Sequence, residues 1–371
     1  MTEQHSDLPL EGVVVLDLGR MLPGALLARQ LLDLGARLIK IEDPAGGDPM
    51  RRIDPLVAGM GAACAALYPG AESVALDLRT EDGAARLRRL VEGADVLFET
   101  FRPGTMEGWG VGADRLCEIN PRLVYCSMSS WGRGSKGAKK IGHDLNFVAA
   151  TGVLDLVNPD GVPALQLADV GASLLAASAI LASLFRRERT GRGAVIDQPL
   201  VSGTAPLLAW AWADRAAGGG ALDTLLAGRL PCYRRYRCGD GLEIVVSTIE
   251  PKFWAAFLSI LDLEVLSSAR MDDGEPGRAA VGAIERVLAG RSRSEWLGVF
   301  KAAGLPISPI LTIDEVRDDG RLHEAGLATE VRVADGGVLP ALGPFIPSLG
   351  RTPDRPAPAL DQHTHLAGEG D

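Results

Sequence analysis

Apolar runs and polar breaks alternate along the first ~130 residues as strands and helices do when they succeed one another. Residues 12–18 read GVVVLDL, a β-branched and leucine run that predicts a buried strand. Pro23-Gly24 opens an apolar-periodic helix to about Leu34, closed by Gly35, and RLIKIE at 37–42 predicts a second strand. Strand, helix and strand within about 30 residues make a βαβ unit, hence a parallel sheet with a right-handed crossover. Ser73–Leu78, Asp95–Glu99 and Arg122–Ser127 continue the strands, with a helix over Glu81–Val91. The expectation is a doubly wound sheet.

Beyond it, Asn146 to Arg187 reads as helical, Ala194–Gln198 as a returning strand, and Val201–Ala217 as a helix carrying Trp210 and Trp212. The apolar stretch Val170–Phe185 is short for a membrane span and reads as a buried helix. AAGGGALD at 216–223 reads as a linker. Tyr233–Tyr236 and Gly241–Ser247 alternate as a hairpin, and helices follow near 251–261, 277–289 and 293–303. Residues 1–223 and 331–371 are therefore assigned to a large Rossmann-like α/β domain with its linkers, and 224–330 to a small α+β domain. The proline-rich tail, 338–360, is expected to wrap as extended chain.

Composition removes several classes of function. The 371 residues carry a formal charge of -10, which argues against nucleic acid as partner, and 47% hydrophobic residues exclude a disordered chain. Cys64, Cys117, Cys126, Cys232 and Cys238 form no C-x-x-C pair and read as reduced, mostly buried thiols of a cytoplasmic protein. The start, MTEQHSDLPLEG, lacks the apolar core of a secretory leader. After the first strand comes GRMLPG rather than G-x-G-x-x-G, and no Walker A sequence occurs, so the nucleotide signal usual to this fold is missing.

Of the five histidines, His5, His323, His363 and His365 read as terminal, surface or tail residues. His143, in Ile-Gly-His-Asp-Leu-Asn-Phe, stands where a Lys/Gly-rich loop becomes an apolar helix. Free N–H groups there bind anions. The plain alternative is that Asp144 caps the helix with His143 packed beside it. Asp169 precedes an apolar helix and Glu250 precedes Pro251. Their plain alternatives are an N-cap and a helix-dipole partner. Three titratable groups thus stand at helix starts.

Much of the chain resembles the family III CoA-transferase (CaiB/BaiF) superfamily, and within it the α-methylacyl-CoA racemase branch. The matching segments include PLEGVVVLDLGRMLPG at 9–24, VALDLR at 74–79, ADVLFETFRPG at 94–104, GHDLNF at 142–147, ADVGAS at 168–173 and IEPKFW at 249–254. The opening block and FRPG mark the superfamily, while GHD-x-N with I-E-P marks the racemase branch. The resemblance implies an interlocked homodimer with a composite site, and a sheet reused to bind CoA. It implies inversion of the α-carbon of a 2-methylacyl-CoA in lipid metabolism. His143, partnered by Glu250, would serve one face of that carbon and Asp169 the other. Backbone N–H groups at the helix starts would hold the thioester oxygen, each donor worth ~3 kcal/mol. CoA belongs to the substrate, so no cofactor or metal is expected. Lys40, Arg51, Arg52 and Arg102 fall in CoA-contacting segments. Before VALDL, where basic residues are usual in the family, this chain has Tyr-Pro-Gly-Ala-Glu-Ser, and Lys136, Lys139 and Lys140 would compensate. Asp361 stands where glycine is common. Two rivals remain. One is a CoA-transferase, with Asp169 as nucleophile forming an acyl anhydride and Gly218–Gly220 as its glycine loop. The other is an acyl-CoA-binding scaffold without turnover. Core packing is the expected role of Trp210, Trp212, Trp254 and Tyr233.

Overall fold

The computed structural model describes residues 8–157, 161–220 and 225–368. The chain forms two compact units. One runs to Pro206 and resumes at Arg321; the other is Leu207–Gly320. The small unit thus begins and ends earlier than the boundaries at 224 and 330 read from the sequence.

The large unit is built on six parallel strands: β1 (Val14–Leu18), β2 (Arg37–Glu42), β3 (Glu72–Ala75), β4 (Val96–Glu99), β5 (Val124–Ser127) and β6 (Ala194–Asp197). Their order is β3-β2-β1-β4-β5-β6. The succession therefore reverses between β1 and β4, where an open α/β sheet leaves a crevice for ligands. The strands read as continuous apolar runs because both faces are covered. Val15, Val96, Phe98, Val124 and Cys126 face the core shared with α1 (Met21–Asp33). Leu16, Leu97 and Tyr125 point the other way, onto Leu87 and Val91 of α2 (Glu81–Glu92).

The helical stretch expected from 146 to 187 divides. α3 (Asp144–Ala150) and a short helix at Val153–Val157 come first, and α4 (Leu167–Thr190) follows a loop. α4 is long and apolar enough to cross a membrane by length and composition. It buries one stripe, Ala172, Ala176, Ile180 and Leu184, in the same core as α1. It also exposes Val170, Leu174 and Phe185, so it is partly rather than wholly buried.

Glycine permits two close approaches here. A Cβ on Gly24 would stand 2.8 Å from Gly19 Cα, so GRMLPG uses its glycines to bring α1 against the end of β1. A Cβ on Gly171 would stand 2.1 Å from the Gly203 carbonyl, which fixes α4 against the turn at Leu200–Thr204.

In the small unit β7 (Tyr233–Arg237), β8 (Glu243–Ser247) and β9 (Ile307–Pro309) form an antiparallel sheet in the order β9-β8-β7. α5 (Pro251–Ile260), α6 (Glu275–Leu288) and α7 (Arg293–Ala302) close its core around Trp254, Phe257, Ile284, Trp296 and Phe300. Trp254 fills the packing role expected of it, with Nε1 donating to the Ser267 carbonyl at 3.1 Å. Trp210 and Trp212 do not. They are 66% and 73% exposed on the helix Ala205–Ala216, which buries none of its residues. The linker expected at 216–223 lies partly outside the described residues.

Back in the large unit, Ala328–Arg332 (β10) pairs antiparallel with Val338–Leu342 (β11), a hairpin where extended chain was expected. Pro340 sits in β11, and a lone pair of strands tolerates it. The end of the tail lies along β3. His363 N–H donates to the Ser73 carbonyl, and its Nδ1 accepts from Ser73 N–H at 3.2 Å. Asp361 takes φ 59°, the left-handed region that glycine enters without cost, and its Oδ1 accepts from Ala75 N–H at 2.8 Å.

Candidate active site

The crevice between β1 and β4 is a cavity of about 460 Å³ at the carboxyl ends of the strands. Two similar peptides shape it. Leu18-Gly19-Arg20 follows β1, and Leu76-Asp77-Leu78-Arg79 follows β3. Thr100-Phe101-Arg102 closes the side after β4. Arg20 stacks over the Phe101 ring at 5.1 Å, and Arg79 is held by Asp77 at 2.6 Å and Asp43 at 3.4 Å.

Of the expected CoA cations, only Arg102 is an exposed cation lining this cavity. Lys40 also lines it, yet its ammonium is internal. It meets Asp17 at 3.3 Å, Asp48 at 3.2 Å, the Gly19 carbonyl at 3.0 Å and the Tyr68 hydroxyl at 2.8 Å. Burial works against its charge, but the carboxylates of Asp17 and Asp48 outweigh burial and raise its pKa. Arg51 is likewise engaged, with a two-pronged bond to Glu42 at 2.8 and 2.5 Å and a third bond to the Pro358 carbonyl. It therefore ties the tail to the sheet. Arg52 bonds the Gly46 carbonyl. Lys136, Lys139 and Lys140 stand exposed on the loop before α3, and Lys140 lies over the Trp131 ring at 5.8 Å. None of the three lines the cavity. Arg20 and Arg79 escaped the sequence reading, although each stands within two residues of a Leu-Asp-Leu run at or just past the end of a strand, a repetition that could have found them. The acid in the segment without basic residues, Glu72, pairs with Arg37 at 2.8 Å.

Each catalytic candidate stands at the start of a helix. His143 is the N-cap residue of α3, exposed and in extended backbone, with its N–H donating to Asn146 Oδ1 at 3.0 Å. Asp169 lies in the first turn of α4 and is 7% exposed. It is not the N-cap, which is Gln166, and Gln166 Nε2 donates to Asp169 Oδ2 at 3.1 Å. Glu250 is the N-cap residue of α5 in the small unit and is exposed. Asp144 does not cap its own helix as the plain alternative had it. Its Oδ1 accepts from Ala168 N–H at 2.8 Å and Asp169 N–H at 3.0 Å, at the start of α4.

This arrangement puts the His143 imidazole within electrostatic reach of the Asp169 carboxyl. Burial and then the neighbouring Asp144 charge raise the Asp169 pKa to about 6, while Gln166 and the His143 imidazole pull it down. A carboxyl whose pKa is raised to about 6 within reach of an imidazole is a candidate for acid–base chemistry. The segments that carry the pair expose apolar side chains, among them Ile141, Leu145, Val162 and Leu165.

The model of CoA-transferase family III matches residues 10–364. The chain belongs to CoA-transferase family III. Among family members it is 33% identical to human alpha-methylacyl-CoA racemase over 93% of this chain and 90% of that protein. It is 28% identical to human succinyl-CoA:glutarate CoA-transferase over 99% of this chain and 87% of that one. The crystal structure of a CaiB/BaiF family protein from Brucella suis shares the fold at a TM-score of 0.82, with 28% identity, covering 96% of this chain and 97% of its own.

Proposed function

We propose that this family III protein is an α-methylacyl-CoA racemase, and that His143 and Asp169 are its two acid–base groups. The observation that carries the reading is a buried carboxyl at a helix start, its pKa raised to about 6, that feels the charge of the His143 imidazole. Sequence identity of 33% to human alpha-methylacyl-CoA racemase across nearly the whole chain supports it.

Inversion needs one group ionised and its opposite protonated, with the roles exchanged for the other epimer. In one direction the Asp169 carboxylate takes the α-proton, the C–H electron pair becomes the Cα–C double bond, and the carbonyl π pair moves onto the thioester oxygen as an enolate. Protonated His143 then delivers a proton to the opposite face and the carbonyl re-forms. The N–H groups of Ala168 and Asp169 are occupied by Asp144. The thioester oxygen is therefore left to the first N–H groups of α3, which stabilise developing negative charge.

The crevice at the strand ends is assigned to the nucleotide end of CoA, with Arg20, Arg79 and Arg102 as its cations. None of the catalytic candidates lines it, which suits a substrate whose phosphates and thioester are far apart. The exposed Ile141, Leu145, Val162 and Leu165 suit a branched acyl chain. Apart from the CoA carried by the substrate, the proposal needs no cofactor or metal. Two exposed tryptophans on a helix that buries nothing support assembly as a homodimer. Five unpaired thiols support a cytoplasmic location, with a role in lipid metabolism.

Likeness to human succinyl-CoA:glutarate CoA-transferase keeps a second reading in view. There Asp169 would attack the thioester carbonyl and expel CoA thiolate, leaving a mixed anhydride. Incubating one pure epimer of a 2-methylacyl-CoA separates the two. A racemase yields both epimers without any acceptor acid. A transferase leaves the stereocentre intact and moves CoA only when a second acid is added.

A further inference from the structure

Asp144 is the residue after the candidate acid–base His143, and it is itself 8% exposed. Its carboxylate serves neither its own helix nor any cation named among the described residues. Instead Oδ1 collects two N–H donors from the first turn of α4, 24 and 25 residues further along the chain. One of these is the backbone N–H of Asp169. The peptide that carries the imidazole is thereby fastened to the peptide that carries the carboxyl.

We propose that Asp144 is a positioning residue for the proton-transfer pair, holding the first turn of α4, and with it the Asp169 carboxyl, in register with His143. The proposal rests on the racemase reading for its consequence in turnover, but the physical claim about Asp169 stands apart from it. A carboxylate that accepts two N–H groups fixes a backbone at the cost of burying a negative charge. That charge is not neutral toward its neighbour. Burial is the larger influence holding the Asp169 pKa up, and the Asp144 charge adds to it. Asp144 thus fixes where Asp169 stands and also favours its protonated form.

Among the described residues, the other titratable groups on the elements packed against α4 are already paired or buried. Gln166 and His143 act in the opposite sense to Asp144. The turn at Leu200–Thr204 packed on α4 carries no ionisable side chain. On α1, Arg29 and Asp33 pair with each other at 2.8 Å. On β6, Asp197 accepts the Arg133 N–H at 2.8 Å. Tyr125 and Cys126 of β5 are held neutral by burial.

Two substitutions in the full-length protein separate position from charge. Asp144→Ala removes both. Asp144→Asn keeps an acceptor oxygen of the same shape and removes the charge. Turnover of a 2-methylacyl-CoA is followed from pH 5 to 9, and the Asp169 carboxyl is titrated by carbon-13 NMR in protein labelled at aspartate. Asp169→Asn serves to assign the resonance. The expected result is a tenfold or greater fall in kcat for Asp144→Ala, with KM within about threefold. Asp144→Asn should recover most of that loss at alkaline pH. It should also move both the acid limb and the Asp169 titration to lower pH by about 0.5 or more. An Asp169 titration unchanged in Asp144→Asn overturns the proposal even if the wild-type protein turns over no thioester, because the NMR reading does not depend on the reaction. Equal losses in the two variants overturn it as well. Absence of turnover in the wild-type protein, with the titration shifted as expected, overturns the racemase reading and leaves the role of Asp144 standing.

Discussion

His143 lies near enough to Asp169 for its imidazole to lower the pKa of that carboxyl, against burial and the Asp144 charge that together raise it to about 6. The two residues are 26 positions apart and start different helices. If they are the two acid–base groups, each is indispensable in both directions of the reaction. His143→Ala and Asp169→Ala should each lower epimerisation by ~10²–10⁴-fold while leaving KM for the thioester within a few-fold, as steady-state kinetics on either epimer will show.

The same carboxyl fixes the pH profile. In the direction where Asp169 is the base, kcat/KM should fall as pH drops below about 6, the value to which its pKa is raised. The opposite direction starts with that proton on Asp169 instead of His143, a state that holds the same number of protons, so kcat/KM for the two epimers should follow profiles of one shape with the acid limb near 6. A rate that stays level from pH 7 down to pH 5 would count against this assignment.

Stability should carry its own pH signature. Glu99, at the end of β4 and 2% exposed, has its pKa raised to about 7, chiefly by burial. A folded pKa above the unfolded one means that the folded state holds the proton more tightly. Its contribution is fully present below about pH 4.5 and is lost as pH rises through about 7. Glu99→Gln should accordingly raise the melting temperature at pH 8 more than at pH 5. The gain at pH 8 is on the order of 2 kcal/mol, read from denaturant curves at the two pH values.

Cations near the crevice divide by role. Arg51→Ala removes one partner of a buried two-pronged ion pair, and should cost about 3 kcal/mol of stability. Arg102→Ala touches an exposed cation that lines the cavity, and should weaken binding of CoA with the melting temperature nearly unchanged. Calorimetric binding beside thermal melts distinguishes the two. An Arg51→Ala protein of normal stability that fails to bind CoA would reverse the assignment.

Gly171→Ala tests the seating of α4. A Cβ 2.1 Å from the Gly203 carbonyl forces the helix outward, with a cost of roughly 1–3 kcal/mol. Because Asp169 rides in the first turn of that helix, kcat should fall along with stability.

The parts of this molecule that were legible in the sequence are those governed by local pattern. All six strands of the large sheet announced themselves, the inner ones because a sheet covered on both faces needs apolar runs, and the edge strand β6 by its short Ala-Val-Ile run although Val195 stands exposed. The hairpin β10–β11 did not, since Pro340 and the exposed side chains on β11 blur its alternation. Lys40 shows the opposite difficulty. A lysine in RLIKIE reads as a solvent cation, and only the fold reveals Asp17 and Asp48 waiting for it. The catalytic candidates were named by resemblance, and their positions at helix starts could be read directly. The fastening of one helix start to the other by Asp144 could not, because a hydrogen bond across 25 residues of chain leaves no periodic trace.

Solvent exchange at the α-carbon tests the central claim most directly. Protein in heavy water, given one epimer of a 2-methylacyl-CoA and no acceptor acid, should place deuterium at Cα and produce both epimers together, followed by proton NMR. An α-hydrogen that stays in place, in protein that transfers CoA once a second carboxylic acid is supplied, would contradict it.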